Sequence, residues 1–191
     1  MRMKSTAPSY LKHHFLIAMP QMADPNFAQT LIYLIEHGAE GAMGLIVNRP
    51  SGLSLADVLE QLRPDEPIPP LCQSLPIFSG GPVQTDRGFV LHSPDQQFQA
   101  TLSLGPLGMS TSQDVLFAIA DGQGPARHFV ALGYAGWEAG QLEAELADNA
   151  WLSCSADTEI LFDLPYDQRL NAAAASLGVD LRLLSTQVGH A

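Results

Sequence analysis

The stretch that most constrains this chain is Leu132-Gly133-Tyr134-Ala135-Gly136-Trp137-Glu138-Ala139-Gly140-Gln141-Leu142. An apolar run, residues 129–132, enters it and an amphipathic run, residues 141–147, leaves it. Glycine permits positive φ or close backbone approach, and Tyr and Trp each join a large apolar surface to one polar group. The pattern predicts a strand that turns sharply near Gly133 into a helix, forming either a corner of the core or one wall of a groove.

Around it, short apolar runs alternate with turn residues. Residues 15–19 (FLIAM) and 30–36 (TLIYLIE) read as buried strands, and the turn at 38–41 pairs the second with 43–47. Asp24-Pro25 opens one or two helical turns through Gln29. Leu55, Val58, Leu59 and Leu62 follow the helical i, i+3, i+4, i+7 spacing, with Ser54 as cap and Arg63-Pro64 as stop. A proline-rich loop over 64–76 follows, read as stiff surface rather than linker. Strands are expected at 77–78, 88–92, 98–104, 128–132 and 158–162, with a short one at 181–184. Helices are expected from Thr111 or Ser112 to Ala120, from Gln141 to about Asn149, and from Pro165 to a Gly178 cap. Hairpins dominate and regular βαβ alternation is missing. The fold class is therefore α+β: a mostly antiparallel, strongly bent sheet with about four flanking helices. Residues 1–12 read as a flexible N-terminus and 13–191 as a single domain.

Charge narrows function. The chain of 191 residues carries 9 basic against 20 acidic side chains, a net charge of -11. Affinity for nucleic acid rests on Lys and Arg neutralising phosphates, so direct nucleic-acid binding is disfavoured, as is an anionic membrane surface. No helix-turn-helix pair is legible. No apolar run reaches the ~18 residues of a membrane span, and Cys72 and Cys154 form no CxxC, so a cytoplasmic protein is expected.

The catalytic templates fail one by one. Gly80-Gly81-Pro82 and Gly122-Gln123-Gly124-Pro125 match neither GxxxxGK[ST] nor GxGxxG, and no GxSxG elbow exists. Glu138, Glu143 and Glu145 repel an anion from the start of the helix after the corner. The histidines His13, His14, His37, His92, His128 and His190 show no metal-ligand spacing, so no metal or cofactor is expected. What remains is a set of polar and aromatic residues at predicted strand ends, Asn48, Arg49, His92, Tyr134 and Trp137, as candidate ligand-binding residues. Arg49 is a rare cation on an acidic protein, able either to cap carbonyls or to hold an anion. Two classes stay open: a non-catalytic binding or regulatory protein working through a protein or small-molecule partner, and an enzyme or small-anion-binding protein with a site near Arg49 and His92.

Several strings taken together resemble the AlgH/YqgE family: FLIAMP at 15–20, EHGAEGAMGLIVNRP at 36–50, GGPV at 80–83, RGFVLH at 87–92, LGYAGWEAGQLE at 132–143, NAWL at 149–152 and GHA at 189–191. The resemblance runs from about residue 10 to the C-terminus. It implies a bent, pseudo-barrel sheet with flanking helices in a bacterial cytosolic protein, and a link to transcriptional regulation of alginate production. It supplies no catalytic or ligand-binding residues.

Overall fold

A computed structural model describes residues 10–188. Its backbone is a curled, mostly antiparallel sheet of ten strands: β1 (His14–Ala18), β2 (Leu31–Gly38), β3 (Gly41–Ile46), β4 (Pro50–Ser54), β5 (Pro76–Ser79), β6 (Val83–His92), β7 (Thr101–Ser103), β8 (Gly108–Ser110), β9 (His128–Glu138) and β10 (Trp151–Ser155). The main path runs β10-β1-β2-β3-β9-β6-β8-β7, and β5 bridges β4 to β9, lying parallel to β9. The helices are α1 (Leu55–Leu62), α2 (Asp114–Ala120), α3 (Gln141–Ala147), the short α4 (Thr158–Phe162), α5 (Tyr166–Ala175) and α6 (Leu181–Val188). The α+β class and the bent antiparallel sheet hold.

Apolar alternation divides the core. Phe89, Leu91, Met109, Phe129 and Ala131 face the inside of the curl with Phe15, Ile17, Tyr33 and Leu45. Val90 and Val130 face the other way, where α1 and α2 cover them. A third cluster gathers Leu16, Ile32, Ile46, Trp137, Leu142 and Trp151 beneath α3.

The glycine corner is not a strand-to-helix turn. β9 continues through it to Glu138, and residues Ala135–Glu138 pair with Gly44–Gly41 of β3. The bend is real but lies inside the strand: Gly133 has φ +80°, and a Cβ there would lie 2.4 Å from the Gly81 carbonyl oxygen. A Cβ on Gly81 would meet the Tyr134 carbonyl carbon at 2.1 Å. The two glycine strings thus exist for each other, letting the chain after β5 cross β9 at backbone contact.

Two expected strands are helices. Residues 158–162 form α4 because the Asp157 carboxylate accepts from the Glu159 N–H at 2.8 Å, while Ile160 and Leu161 pack inward. Residues 181–184 open α6, where Asp180 accepts from the Arg182 N–H at 3.0 Å. Short apolar runs carry no periodicity that separates helix from strand. The expected strand at 98–104 shrinks to β7, with Phe98 held in a turn by its N–H to Thr101 Oγ1. Strands β4, β8 and β10 were not expected; β4 is exposed and holds Pro50 and Gly52, β8 spans only three residues, and β10 alternates poorly. Residues 24–29 form turns rather than a regular helix. In the proline loop, residues 70–74 wind into a 3₁₀ turn that buries Cys72. Most of the expected N-terminal flexible segment and the closing GHA string lie outside the described residues.

Candidate functional site

The five residues singled out from sequence fall into three places. Asn48, Arg49 and Trp137 meet on one segment, residues 26–31. The Asn48 side chain accepts from the Leu31 N–H (2.9 Å) and donates to the Gln29 carbonyl (3.0 Å). Arg49 donates to the carbonyls of Asn26 (2.8 Å) and Ala28 (3.0 Å). Trp137 stacks on Phe27 at 6.1 Å and meets Trp151 edge-on at 6.1 Å. Both indoles donate to Glu145 Oε1, at 3.3 Å from Trp137 and 3.0 Å from Trp151. Glu143 is matched in the same way, by His37 Nε2 at 2.5 Å. Each polar group here closes the turn or the corner upon itself. Tyr134 lies elsewhere, edge-on to Phe89 at 5.9 Å. The five do not converge on one cleft.

His92 is the exception. It is fully buried at the end of β6, beside a cleft between α1, α2 and the sheet. α1 is fixed by a capping box, in which the Ser54 N–H donates to Asp57 at 2.8 Å and Ser54 Oγ accepts from the Asp57 N–H at 3.4 Å. Its Leu55 and Leu59 are buried, and Val58 and Leu62 face the cleft. The start of α2 is tied to the loop before β7: Gln99 N–H donates to Asp114 (2.8 Å) and Ala100 N–H to Ser112 Oγ (3.0 Å). The Arg63 guanidinium lies 3.4 Å over the Phe117 ring and joins the two helices.

Between them lies a cavity of about 170 Å³. Val58, Leu62, Leu116, Val130 and Leu132 form its apolar walls, with Gly88 in the floor, where an added Cβ would touch nothing within 4 Å. Asp86, Ser110, Thr111, Ser112 and Gln113 supply polar lining. At its inner end a directed chain of hydrogen bonds runs through the sheet. Phe98 N–H donates to Thr101 Oγ1 (2.7 Å), which lies 2.8 Å from Ser110 Oγ. Ser110 Oγ is 2.7 Å from His92 Nε2, and His92 Nδ1 is 2.7 Å from the Ser93 carbonyl oxygen. Since a carbonyl only accepts, Nδ1 carries the proton of the neutral ring, and Nε2 accepts from Ser110.

The matches to known proteins follow the same strings and extend across the fold. A family model described as DUF179, AlgH-like, matches residues 15–182. The chain belongs to the AlgH-like family. It is 93% identical over 189 residues to a UPF0301 protein of Stutzerimonas stutzeri, covering 99% of this chain and 100% of that one. It is 69% identical to the UPF0301 protein AlgH of Pseudomonas aeruginosa, again over 99% and 100%. The solution structure of the AlgH protein from Pseudomonas aeruginosa superposes with a TM-score of 0.81, covering 99% of this chain and 100% of that one. A crystal structure from Corynebacterium diphtheriae shares the AlgH-like fold at 20% identity, with TM-score 0.72 and coverage of 96% and 94%.

The residues that sequence reading missed in this AlgH-like chain are Ser110, Thr101, Gln113 and the cleft faces of α1 and α2. One signal existed: the apolar face of α1 carries Val58 and Leu62 beyond the Leu55 and Leu59 that the core consumes. Ser110 gave none, because its partner His92 lies on a neighbouring strand. Among the described residues, no group of three or more His, Cys, Asp or Glu is placed to hold a metal, and no helix is long and apolar enough to cross a membrane.

Proposed function

We propose that this protein is a cytosolic regulatory protein whose α1–α2 cleft binds a small, compact, largely apolar molecule, and that occupancy is passed on to a protein partner rather than to DNA. The observation that carries this reading is the cavity of about 170 Å³, with apolar walls and polar residues among its lining. A cavity of ~150 Å³ holds a benzene-sized body, which sets the scale of the ligand. Thr111, Gln113 and Asp86 edge the cavity as exposed residues. Asp86 and the net charge of -11 favour a neutral ligand over an anionic one. The acidic surface also disfavours direct DNA contact, so the family's link to transcription of alginate genes fits an indirect route.

A panel of neutral six- to eight-carbon-scale compounds, read by amide and methyl NMR shifts, tests this. Saturable shifts at Val58, Leu62, Leu116, Val130 and Leu132 support it, and their loss in Leu116→Phe ties them to the cleft. A panel that binds nowhere, or binds equally well to the filled variant, removes the reading.

A further inference from the structure

We propose that Ser110 is a nucleophile with His92 as its general base, so that the cleft takes a neutral short-chain acyl ester or thioester and carries its acyl group covalently. The proposal rests on the cleft being the ligand site and adds the chemistry at its inner end. Three of the required roles are already in geometry. The His92 ring is oriented by its Nδ1–H to the Ser93 carbonyl at 2.7 Å, so Nε2 faces Ser110 Oγ as a bare acceptor at 2.7 Å. The Thr101 hydroxyl lies 3.4 Å from the Phe98 carbonyl oxygen and 2.8 Å from Ser110 Oγ; with the Ser110 proton committed to His92, the shorter contact is the one through which Thr101 donates. One lone pair of Ser110 Oγ is left without a partner; Ser110, like His92, is fully buried at the cavity wall, so attack requires the acyl carbon to enter the cavity itself.

The ring is also held in place. A Cβ on Gly108 would lie 2.6 Å from His92 Cε1, so glycine makes the room for the imidazole, and Phe98 packs edge-on to the ring at 5.6 Å. The Asp95 carboxyl is drawn below its usual range chiefly by the Ser93 hydroxyl and in smaller part by His92. Gln113 and Thr111 edge the same cavity from its exposed side and carry hydrogen-bond donors for a carbonyl oxygen as it gains charge. Val58, Leu62, Leu116, Val130 and Leu132 receive the acyl chain, and Asp86 disfavours acyl groups that end in a carboxylate.

The step balances without any further reactant but water. The Ser110 Oγ lone pair attacks the acyl carbon as the hydroxyl proton passes to His92 Nε2, and the carbonyl π pair moves onto oxygen. Collapse of the tetrahedral species breaks the bond to the alkoxide or thiolate, which leaves with the proton from Nε2. Water, giving its proton to Nε2, then attacks the acyl-Ser110 ester. The carboxylic acid departs and Ser110 regains its proton.

The full chain is tested with p-nitrophenyl butyrate, with peptide mapping of the acylated residue, beside NMR binding of 2-hexanone, which has the carbonyl and chain but no leaving group. The expected result is acylation of Ser110, lost by roughly 100-fold or more in Ser110→Ala and in His92→Gln, while 2-hexanone still shifts the cleft methyls of Ser110→Ala. Ser110→Cys, a near-isosteric change, restores acylation by a butyryl thioester. If 2-hexanone binds the cleft of the wild-type protein and Ser110 stays unmodified, the nucleophile is overturned and the binding reading stands. If neither occurs, both are overturned. Acylation at another residue, unchanged in Ser110→Ala, also overturns the proposal.

Discussion

The Trp137 corner and the α1–α2 cleft are both built on the outer side of one curled sheet, opposite the side lined by Phe15, Tyr33 and Phe89, and they differ in what is left over. At the corner the interior is full, and the hollow of about 490 Å³ that Trp137 edges together with His37, Glu36 and Glu40 is open to solvent. Trp137, Trp151 and Phe27 fill the space under α3, and the one carboxylate among them, Glu145, takes both indole protons. At the cleft, apolar walls border a volume that no side chain fills, and the exposed residues Gln113, Thr111 and Asp86 edge it. The most recognisable string of the chain thus serves the architecture, whereas the place with spare chemistry is formed by residues that look ordinary in sequence. A glycine-aromatic string is memorable because close packing tolerates few alternatives.

The largest effect is expected where the glycine strings touch. Gly81→Ala places a Cβ 2.1 Å from the Tyr134 carbonyl carbon, which neither backbone can yield without moving the sheet. A loss of about 4 kcal/mol or more in urea unfolding is expected, at the exceptional end for a single substitution. A mild effect would mean that the crossing of β9 is loosely held. Next comes Glu145→Ala, which strands the indole N–H groups of two buried tryptophans. About 2 kcal/mol of destabilisation is expected, with loss of fixed near-ultraviolet dichroism from both tryptophans; unchanged stability would break the picture of a sealed corner.

The interior of the curl gives a third test, through pH. Burial raises the Tyr33 hydroxyl from 10.0 to about 12. The folded state therefore keeps a proton that the unfolded chain loses, so this stability is intact below pH 10 and is lost as pH rises toward 12. About 1 kcal/mol should go between pH 9 and pH 11 from this group, and Tyr33→Phe should remove that part of the slope. An identical slope in Tyr33→Phe would contradict it. The smallest effect sharpens the comparison most. Leu142→Phe, in the filled corner, should cost about 2 kcal/mol by overpacking, whereas Leu116→Phe should cost less than ~0.5 kcal/mol because the ring enters the cavity. Equal costs would say that the cleft is no emptier than the corner.

Much of the fold was legible. The runs at 15–19 and 30–36, the turn at 38–41 and the amphipathic spacing of Leu55 to Leu62 each state their element locally, and together they gave the α+β class. The failures share a cause: α4, α6, β4 and β10 are short, and their state is set by a cap such as Asp157 or by a distant partner strand. The corner was misjudged because Gly133 signals a bend but not whether pairing resumes after it; β3 supplies that answer from ninety residues away in the chain. Among the candidate site residues, Arg49 turned to two carbonyls rather than to a ligand. His92 gained meaning only from Ser110, which reaches it across a β6–β8 pairing that no local pattern announces.

The central claim is that the cleft offers an apolar-walled cavity, whereas the hollow beside the corner is open and edged by charged side chains. Methyl and indole NMR of the intact protein, titrated with 2-hexanone, tests it directly. The expected result is saturable shifts of the Val58, Leu62, Leu116, Val130 and Leu132 methyls with the Trp137 and Trp151 indole signals unmoved. Shifts centred on the two indoles, with the cleft methyls silent, would contradict it.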